Sequence, residues 1–304
     1  MTGVHVKTVL NNAISEWIEQ FIFDRKIRGL KDSTIIYYKK SLRRFLAYCD
    51  QSGIEDMSQI TAKALREFIA SMSRYADNTK RNTFKATRAF LCWFESEEII
   101  DGWRSLCTKV STPKADEQPI APIEMKDVIK VIRKCGPDNL GLRDKAILMV
   151  LVDTGIRASE LVALDIDDLN EKIGQIVIKH GKGGKVRVVF VGRDTRKAIR
   201  RYLSTRTDDL SALFISHWDK TRLTTHGLRW LVIRRFKAAK VKPKGIHTFR
   251  RLFALTMLRN GTDIVTLSRL MGHSTTDVLR RYLAQTDDDL REAHAKASPV
   301  DNWL

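Results

Sequence analysis

The sequence has few cysteines and no long hydrophobic run. Its 304 residues include four cysteines, and their spacing matches no metal-binding motif: Cys49, Cys92, Cys107 and Cys135. No apolar run approaches the ~20 residues of a membrane-spanning helix, and the first residues lack the apolar core of a signal peptide. We therefore expect structural thiols in a reducing compartment, and a cytoplasmic protein.

Acidic residues are missing from one long stretch. Residues 220–251 contain eleven Lys or Arg and no Asp or Glu. The whole chain has a formal net charge of +18; 18 basic and 13 acidic residues give positions 1–112 a net +5, and 36 basic and 23 acidic residues give the rest +13. Because a solvated charged face usually mixes signs, a stretch of one sign predicts a polyanionic partner, above all nucleic acid.

Apolar periodicity in the first 110 residues predicts four amphipathic helices. The first is expected from Val9 to about Arg25. The residues expected to cap the next three are, in order, Asp32 or Ser33, then Thr61, then Asp77 or Asn78. Four such helices with short connections predict a compact helical domain over residues 1–110.

Two of these helices carry basic clusters beside their apolar faces. Taken alone, each cluster is equally well explained as a solvated polar face, but the charge of the whole chain makes them candidate contacts to DNA phosphates. They are Lys39, Lys40, Arg43 and Arg44 on the second helix, and Lys80, Arg81, Lys85 and Arg88 on the fourth.

A proline-containing segment separates this region from the remainder. Residues 109–122 hold three prolines and no apolar period, which is typical of a stiff, exposed linker. We expect the linker at residues 111–122 and a second domain at residues 123–304.

The second domain is expected to mix helices with a β-hairpin. Two β-branched runs, residues 175–179 and 186–191, flank the sequence HGKGGK, whose paired glycines suit a hairpin tip. Lys182 ends the first strand, where its amine can reach into a site, although an isolated hairpin lysine is more often simply solvated. GKGGK is not a phosphate-binding P-loop, because its spacing differs and no Ser or Thr follows Lys185.

Arg157 stands at a second informative position. Gly155 is expected to end the preceding helix, and a new helix follows from about Ser159. An arginine at a helix start, beside backbone N–H groups aimed the same way, is well placed to hold a phosphate oxygen. A surface salt bridge from Arg157 to Glu160 or Asp165 explains the residue equally well.

The stretch from His247 to Tyr282 predicts three short helices with two breaks. His247 and Arg250 lie one turn apart on the first helix, Asn260-Gly261 ends it, and Gly272 ends the second. Residues nine apart on one helix would face nearly opposite ways, so the break at Gly272 lets His273 and Tyr282 converge. Singly, each histidine is better explained as a core residue and the tyrosine as part of an amphipathic helix.

Together these residues resemble the tyrosine recombinase (phage integrase) family, and its Xer-like subgroup most. The matching segments are TGIRASEL, GKGGKVR, HTFRR and LMGHSTTDVLRRY. Two positions depart from the family pattern: Thr248-Phe249 between His247 and Arg250 is a conservative change, and Leu283-Ala284 after Tyr282 alters the expected end of the helix but removes no catalytic group. The resemblance implies a mainly α fold with a small antiparallel sheet, in which a helical SAM-like core-binding domain precedes an α+β catalytic domain.

The resemblance also implies a catalytic set for DNA strand cleavage through a 3′-phosphotyrosine. The set is Arg157, Lys182, His247, Arg250, His273 and Tyr282. The chemistry fits these residue types, since a tyrosine of pKa about 10 needs positive charge and a nearby base to attack a phosphodiester. The two arginines would clamp the non-bridging oxygens. Lys182 would protonate the leaving oxygen, His247 would assist proton transfer, and His273 would hydrogen-bond the phosphate.

The family further implies double-stranded DNA as partner, four protomers on two duplexes, and neither metal nor ATP. The apolar C-terminal end, with Val300, Trp303 and Leu304, is expected to dock either on its own domain or on a neighbouring subunit. Two rival functions stay open: a monomeric type IB topoisomerase, and a DNA-binding protein whose active site has become vestigial.

Overall fold

A computed structural model describes residues 13–98, 106, 108–114, 123–179, 186–272, 291, 294–295, 298 and 300–301. The chain divides into two compact units, residues 1–118 and 119–304. The linker expected at residues 111–122 stays a prediction, because residues 115–122 lie outside the described ranges. Among the helices in these ranges, none combines the length and hydropathy needed to cross a membrane.

The first unit contains the four predicted helices: α1 (Ile14–Ile27), α2 (Asp32–Gln51), α3 (Ala62–Ser71) and α4 (Asp77–Glu98). Thr61 caps α3 as expected, its hydroxyl accepting from the Ala64 N–H at 3.2 Å. The caps expected for α2 and α4 were wrong by one position, because Asp32 and Asp77 are the first residues inside their helices. Their carboxylates lie in the first turn, where the helix dipole favours negative charge.

Aromatic side chains dominate the core of this unit. The edge of Trp17 meets Phe94 with ring centroids 4.8 Å apart, and Phe21 meets Phe90 and Trp93 at 5.7 and 5.5 Å. Such edge-to-face pairs bring α1 and α4 together and bury large apolar surfaces. Cys49 is buried in the same core, and burial raises the pKa of its thiol to about 12, as expected of a structural cysteine.

The second unit is α+β, and the two units together confirm the expected fold class. Its helices are α5 (Met125–Arg133), α6 (Asn139–Thr154), α7 (Ala158–Ala163), α8 (Arg193–Leu203), α9 (Thr225–Ala238), α10 (His247–Arg259) and α11 (Ile264–Met271). A three-stranded antiparallel sheet has the order β1 (Leu169–Asn170), β2 (Gln175–Ile178) and β3 (Arg187–Phe190), with Ile176 opposite Val189. The two longer strands were predicted, whereas β1 has two residues and leaves no periodicity to detect.

The buried helix α6 organises this unit. It packs against α8 and α10, and Ile147, Leu148 and Leu151 on it are fully buried. Asp144 on the same helix is also fully buried, and its carboxylate accepts hydrogen bonds from Arg143, Arg234 and Arg235 at 2.7 to 3.0 Å. A buried carboxylate must be paired to be tolerated, so Asp144 fixes α9 against α6.

Candidate active site

Gly155 sets the direction in which the chain leaves α6. It is the C-cap of that helix with a left-handed backbone (φ 57°), and an added Cβ would lie 2.5 Å from Cδ1 of Phe253 on α10. Both the backbone and the close approach require glycine. The sharp exit places Arg157 at the N-cap of α7, as the sequence predicted.

Arg157 forms an ion pair with Glu160 in which the carboxylate is buried, with its side chain 1% exposed, and the arginine side chain is 20% exposed. Its Nη1 donates to Oε1 of Glu160 at 2.8 Å, and its backbone N–H donates to Oε2 of the same carboxylate at 2.9 Å. Glu160 is 2% exposed. The two interpretations of Arg157 from the sequence therefore do not compete, because Glu160 holds the guanidinium while part of the side chain stays exposed.

A third charged side chain joins this pair from the sheet. Arg187 on β3 donates from Nη1 and Nη2 to the two carboxylate oxygens of Glu160, at 2.8 and 2.7 Å. Its Nε donates to the Leu270 carbonyl at 3.1 Å. One carboxylate thus holds two guanidinium groups, each from a different element of the fold.

Arg250 on α10 reaches the same region, because it also binds the end of α11. It is 4% exposed, and its Nη1 and Nη2 donate to the carbonyls of Gly155 and Met271, at 2.7 and 2.5 Å. His247 begins the same helix and lies one turn away. The planar fork of arginine satisfies two carbonyls that point from different elements, which a lysine cannot do in the same way.

Three consecutive carbonyls at the end of α11 are each held by a different arginine. Arg187 binds the carbonyl of Leu270, Arg250 that of Met271, and Arg157 that of Gly272 at 3.1 Å. The last carbonyls of a helix lack intrahelical partners and carry the negative end of its dipole, so cations stabilise them. One helix end therefore gathers three arginines that come from three different elements of the fold.

Gly272 allows the chain to leave that helix end. It adopts a left-handed conformation (φ 63°) as the C-cap of α11, confirming the predicted break. A Cβ there would come within 2.8 Å of the Arg187 side chain. The next residue in the sequence is His273, which lies outside the described residues.

Two titrating groups show how the surroundings tune this site. Burial alone would raise the pKa of Glu160, but hydrogen bonds from Arg187 and from Arg157 outweigh it and lower the pKa to about 2. Burial of part of its ring, and then the positive charges of Arg250, Arg251 and Arg157, lower the pKa of His247 below its ordinary 6.5. At neutral pH the site therefore contains a firmly ionised carboxylate and a neutral imidazole that can accept a proton.

We expect the stability of the protein to depend on the ionisation of Glu160. Because folding lowers its pKa from an ordinary 4.5 to about 2, its contribution is fully present above about pH 4.5 and is lost as the pH falls towards about 2. The loss is on the order of 3 kcal/mol. Denaturant unfolding at several pH values between 5 and 2 measures it, and Glu160→Gln should remove that part of the slope.

The control for this measurement is Glu124→Gln, which removes an exposed carboxylate bonded to Lys126. It should leave the slope nearly unchanged, because an exposed pair contributes little. A Glu160→Gln protein with the slope of the unmodified protein would contradict the buried, ionised state of Glu160.

Half of the predicted catalytic set can be placed. Arg157 and Arg250 converge at the end of α11, and His247 lies one turn from Arg250 on α10, whereas Lys182, His273 and Tyr282 lie outside the described residues and stay predictions. The sequence interpretation gave no role to Arg187. Its signal was a charged residue inside the β-branched run that follows GKGGK, but its partners are 27 and 83 positions away.

The candidate DNA-contacting residues of the first unit differ in how exposed their side chains are and in whether other residues hold them. Lys39, Lys40, Arg43 and Lys85 are exposed. Arg44 is held instead: its guanidinium lies 5.2 Å from the Tyr75 ring centroid, and it donates to Thr83 at 3.4 Å. Lys80 is paired with Asp77 at 3.0 Å, and Arg81 and Arg88 are half-buried. The exposed four remain the better candidates for phosphate contacts.

The one-sign stretch at residues 220–251 is partly neutralised inside its own unit. Asp165 holds Arg222, and Asp144 holds Arg234 and Arg235. Arg250 is buried against carbonyl groups. Several of the eleven cations therefore organise the fold, and the sequence count overstates the charge that this stretch presents to a partner. Among the residues that the structure describes, no group of His, Cys, Asp and Glu could hold a metal ion.

Comparisons with protein families match both parts of the chain. Residues 120–289 match the phage integrase family, and residues 17–101 match the N-terminal SAM-like domain of phage integrases. The chain is 30% identical to tyrosine recombinase XerA of Pyrococcus furiosus, over 95% of this chain and 96% of that protein. It is 28% identical to tyrosine recombinase XerD of Oceanobacillus iheyensis, over 93% and 98%.

Solved structures share the fold at lower identity. The XerH site-specific recombinase in a post-cleavage complex with its difH substrate has a TM-score of 0.74 at 20% identity, covering 93% of this chain and 84% of that one. The Tn1549 transposon integrase in complex with transposon right-end DNA has a TM-score of 0.73 at 17% identity, covering 94% and 100%. At these identities the similarity establishes the architecture alone.

Proposed function

This chain belongs to the phage integrase family of tyrosine recombinases, and on that premise we propose that it recombines DNA at specific sites with Tyr282 as the nucleophile. Tyr282 Oη attacks the phosphorus of one strand, the 5′-oxygen leaves, and a 3′-phosphotyrosine ester forms. The 5′-hydroxyl of a partner strand then attacks this ester and releases the tyrosine.

The observation that carries this proposal is the pair of arginines held at one helix end. Arg157 and Arg250 bind the neighbouring carbonyls of Gly272 and Met271. Held there, they bring two planar, permanently charged groups to one place, where they can bind the two non-bridging oxygens of a phosphodiester. Donors that are fixed before the reaction stabilise the charge of the pentavalent transition state without further reorganisation.

The remaining groups supply proton transfer. Neutral His247 accepts the proton of the attacking hydroxyl, directly or through water, Lys182 donates a proton to the leaving 5′-oxygen, and His273 hydrogen-bonds the phosphate. The phosphotyrosine ester retains the energy of the broken bond, and the cationic side chains neutralise the phosphate charge. We therefore propose that the reaction requires neither metal ion nor ATP.

Assembly follows from the exchange of strands between two duplexes. We propose that four protomers act on two double-stranded DNA molecules in the cytoplasm, and that the apolar C-terminal residues dock on a neighbouring subunit. Val300, in that segment, is exposed, so its side chain is accessible to a neighbouring subunit.

Covalent trapping tests the proposed chemistry. The DNA is a pool of element-end and genomic junction sequences, each nicked near the candidate cleavage point so that the short 5′-hydroxyl fragment diffuses away. Incubation with EDTA and without nucleotide should give a protein–DNA adduct on a denaturing gel, and sequencing the trapped DNA identifies the site. Tight binding without an adduct on any member of the pool would favour the vestigial-site alternative.

The number of subunits separates recombination from relaxation of supercoils. We expect the adduct-forming complex on the trapped site to contain two protomers per duplex and to pair two duplexes, as measured by mass photometry. Efficient relaxation of supercoiled plasmid by a monomer, with no strand exchange, would instead identify a type IB topoisomerase.

Affinity for DNA should fall steeply with salt. Each phosphate contact releases counterions, so a plot of log affinity against log salt should have a slope of about −0.9 per phosphate neutralised. Replacing the exposed Lys39, Lys40 and Arg43 together by Gln should make the slope shallower by about 3 if all three contact phosphates. The matched control is Lys63→Gln, which changes an exposed lysine paired with Glu67. An equal change of the salt slope in this control would show that the α2 cluster has no special role in phosphate binding.

A further inference from the structure

Arg187 connects three parts of the catalytic unit through one guanidinium group. It lies on β3, its two terminal nitrogens bind both carboxylate oxygens of Glu160 on α7, and its Nε binds the Leu270 carbonyl at the end of α11. All three donor atoms thus have partners at 2.7 to 3.1 Å. An arginine used in this way fixes both the direction and the distance of each element.

The surroundings of this group make its contacts strong. The side chain of Arg187 is 9% exposed and that of Glu160 is 1% exposed. Surface ion pairs of the same length contribute little because water and salt screen them, whereas a buried pair must keep its partners, since removal of one leaves an unpaired buried charge. Glu160 therefore cannot lose Arg187 without changing how it binds its other partner, Arg157.

The charges of the three groups have a direct consequence for Arg157. With both arginines bound, one negative and two positive charges leave the cluster at a net +1. Without Arg187, Glu160 would be paired with Arg157 alone, and that pair would have no net charge. Arg187 thus lets Arg157 be anchored by a carboxylate and still present positive charge to a phosphate group.

Arg187 also lies close in sequence to one predicted catalytic residue and binds a carbonyl close in sequence to another. Arg187 follows Lys182 by five residues, and its partner carbonyl at Leu270 precedes His273 by three. Gly272, which leads to His273, would clash with the Arg187 side chain if it carried a Cβ. The same guanidinium therefore restrains the strand that follows one predicted catalytic residue and the helix end that precedes another.

We propose that Arg187 is a positioning residue for strand cleavage, holding Glu160 and the end of α11 so that Arg157 presents its charge to the scissile phosphate. This role rests on the proposed recombinase function, and it assigns Arg187 no contact with DNA. It predicts that changes at Arg187 slow the chemical step and leave the affinity for DNA nearly unchanged.

The test uses Arg187→Met in the full-length protein. Single-turnover cleavage of the trapped site should slow by about 100-fold, the effect that a misplacement of about 1 Å in a reacting group can have. The dissociation constant for the same DNA should change by less than about 3-fold. Arg187→Lys restores the charge without the two-pronged geometry, so it should recover about half of the loss on a logarithmic scale.

Arg206→Met is the matched control for a buried arginine. The side chain of Arg206 is 6% exposed and binds Asp208 and the carbonyls of Leu210 and Ala212. Arg206→Met should lower the melting temperature by about as much as Arg187→Met does, and it should leave the cleavage rate of the folded protein within about 3-fold of normal. Circular dichroism melting of each variant ensures that rates are measured on folded protein.

A double-mutant cycle determines whether Arg187 acts through Glu160. In a Glu160→Gln background Arg187 no longer has a carboxylate to hold. Arg187→Met should therefore slow cleavage by less than about 5-fold in that background, compared with about 100-fold in the otherwise unmodified protein. Equal costs in both backgrounds would overturn the proposed route through Glu160.

Failure of this proposal is distinguishable from failure of the proposed function. Adduct formation by the unmodified protein together with a normal cleavage rate in Arg187→Met would refute the positioning role alone. A loss in Arg187→Met that appears only in DNA affinity would also refute it. Absence of any adduct with the unmodified protein would refute the function and, with it, the role of Arg187.

Discussion

Replacing Tyr282 by phenylalanine is expected to abolish the covalent protein–DNA adduct while leaving DNA affinity within about 2-fold of normal. The substitution removes one oxygen, and that oxygen is the atom that would form the bond to phosphorus. Phenylalanine has no side-chain atom that can form this bond, so the loss should exceed the 10²- to 10⁴-fold typical of a general acid or base. A denaturing gel measures the adduct and fluorescence anisotropy measures the affinity.

Tyr202→Phe is the matched control for this change. Tyr202 lies in the same unit, where its ring stacks on Phe214 and its hydroxyl accepts from the Ile215 N–H at 3.2 Å. Loss of that hydrogen bond should lower the free energy of unfolding by about 1 kcal/mol, with adduct formation retained. Adduct formation by the Tyr282→Phe protein would show that another residue is the nucleophile.

Arg250→Lys is expected to have the second largest effect, slowing cleavage by about 10³-fold. Lysine keeps the positive charge but loses the planar fork that binds the Gly155 and Met271 carbonyls together. Loss of one fixed donor to a developing oxyanion costs about 10²- to 10³-fold in rate, and here the end of α11 also loses one of its three arginines. Single-turnover cleavage with enzyme in excess gives the rate of the chemical step.

The control here is Arg200→Lys, which changes an exposed arginine that pairs with Glu171 at 3.1 Å. This variant should cleave DNA at the normal rate. DNA affinity of Arg250→Lys should fall by less than about 10-fold, because most of the binding energy comes from other phosphate contacts. A variant that binds poorly and yet cleaves normally at saturating protein would demote Arg250 from transition-state stabilisation to a positioning contact.

The two substitutions test different parts of the same inference. Tyr282 lies outside the described residues, so its role rests on the sequence motif and the family. Arg250 is assigned both by the motif and by the geometry around α11. Loss of activity in both variants would support both assignments. Loss in only one variant would show that the residue changed in the other had been misassigned.

Much of the fold is encoded locally, and the sequence predicted those parts well. The break after Gly155, the cap at Thr61 and the end of α11 at Gly272 each depend on a few adjacent residues with distinct backbone preferences. Boundaries were less accurate: the cap of α11 at Asp263, which accepts from the Val265 and Thr266 N–H groups at 2.9 Å, was not predicted. Neighbouring polar residues compete for the same cap, and only the final path of the chain selects one.

The sequence by itself also indicated the residues that we propose to carry the chemistry, since Arg157, His247 and Arg250 belong to motifs with fixed local spacing. Tertiary structure decided how they are held. It turned the pairing of Arg157 with Glu160 into a buried anchor, added Arg187 from β3, and gathered three arginines on the end of α11. The contacts with α11 join residues 21 to 115 positions apart, so they follow from packing, and no local propensity encodes them.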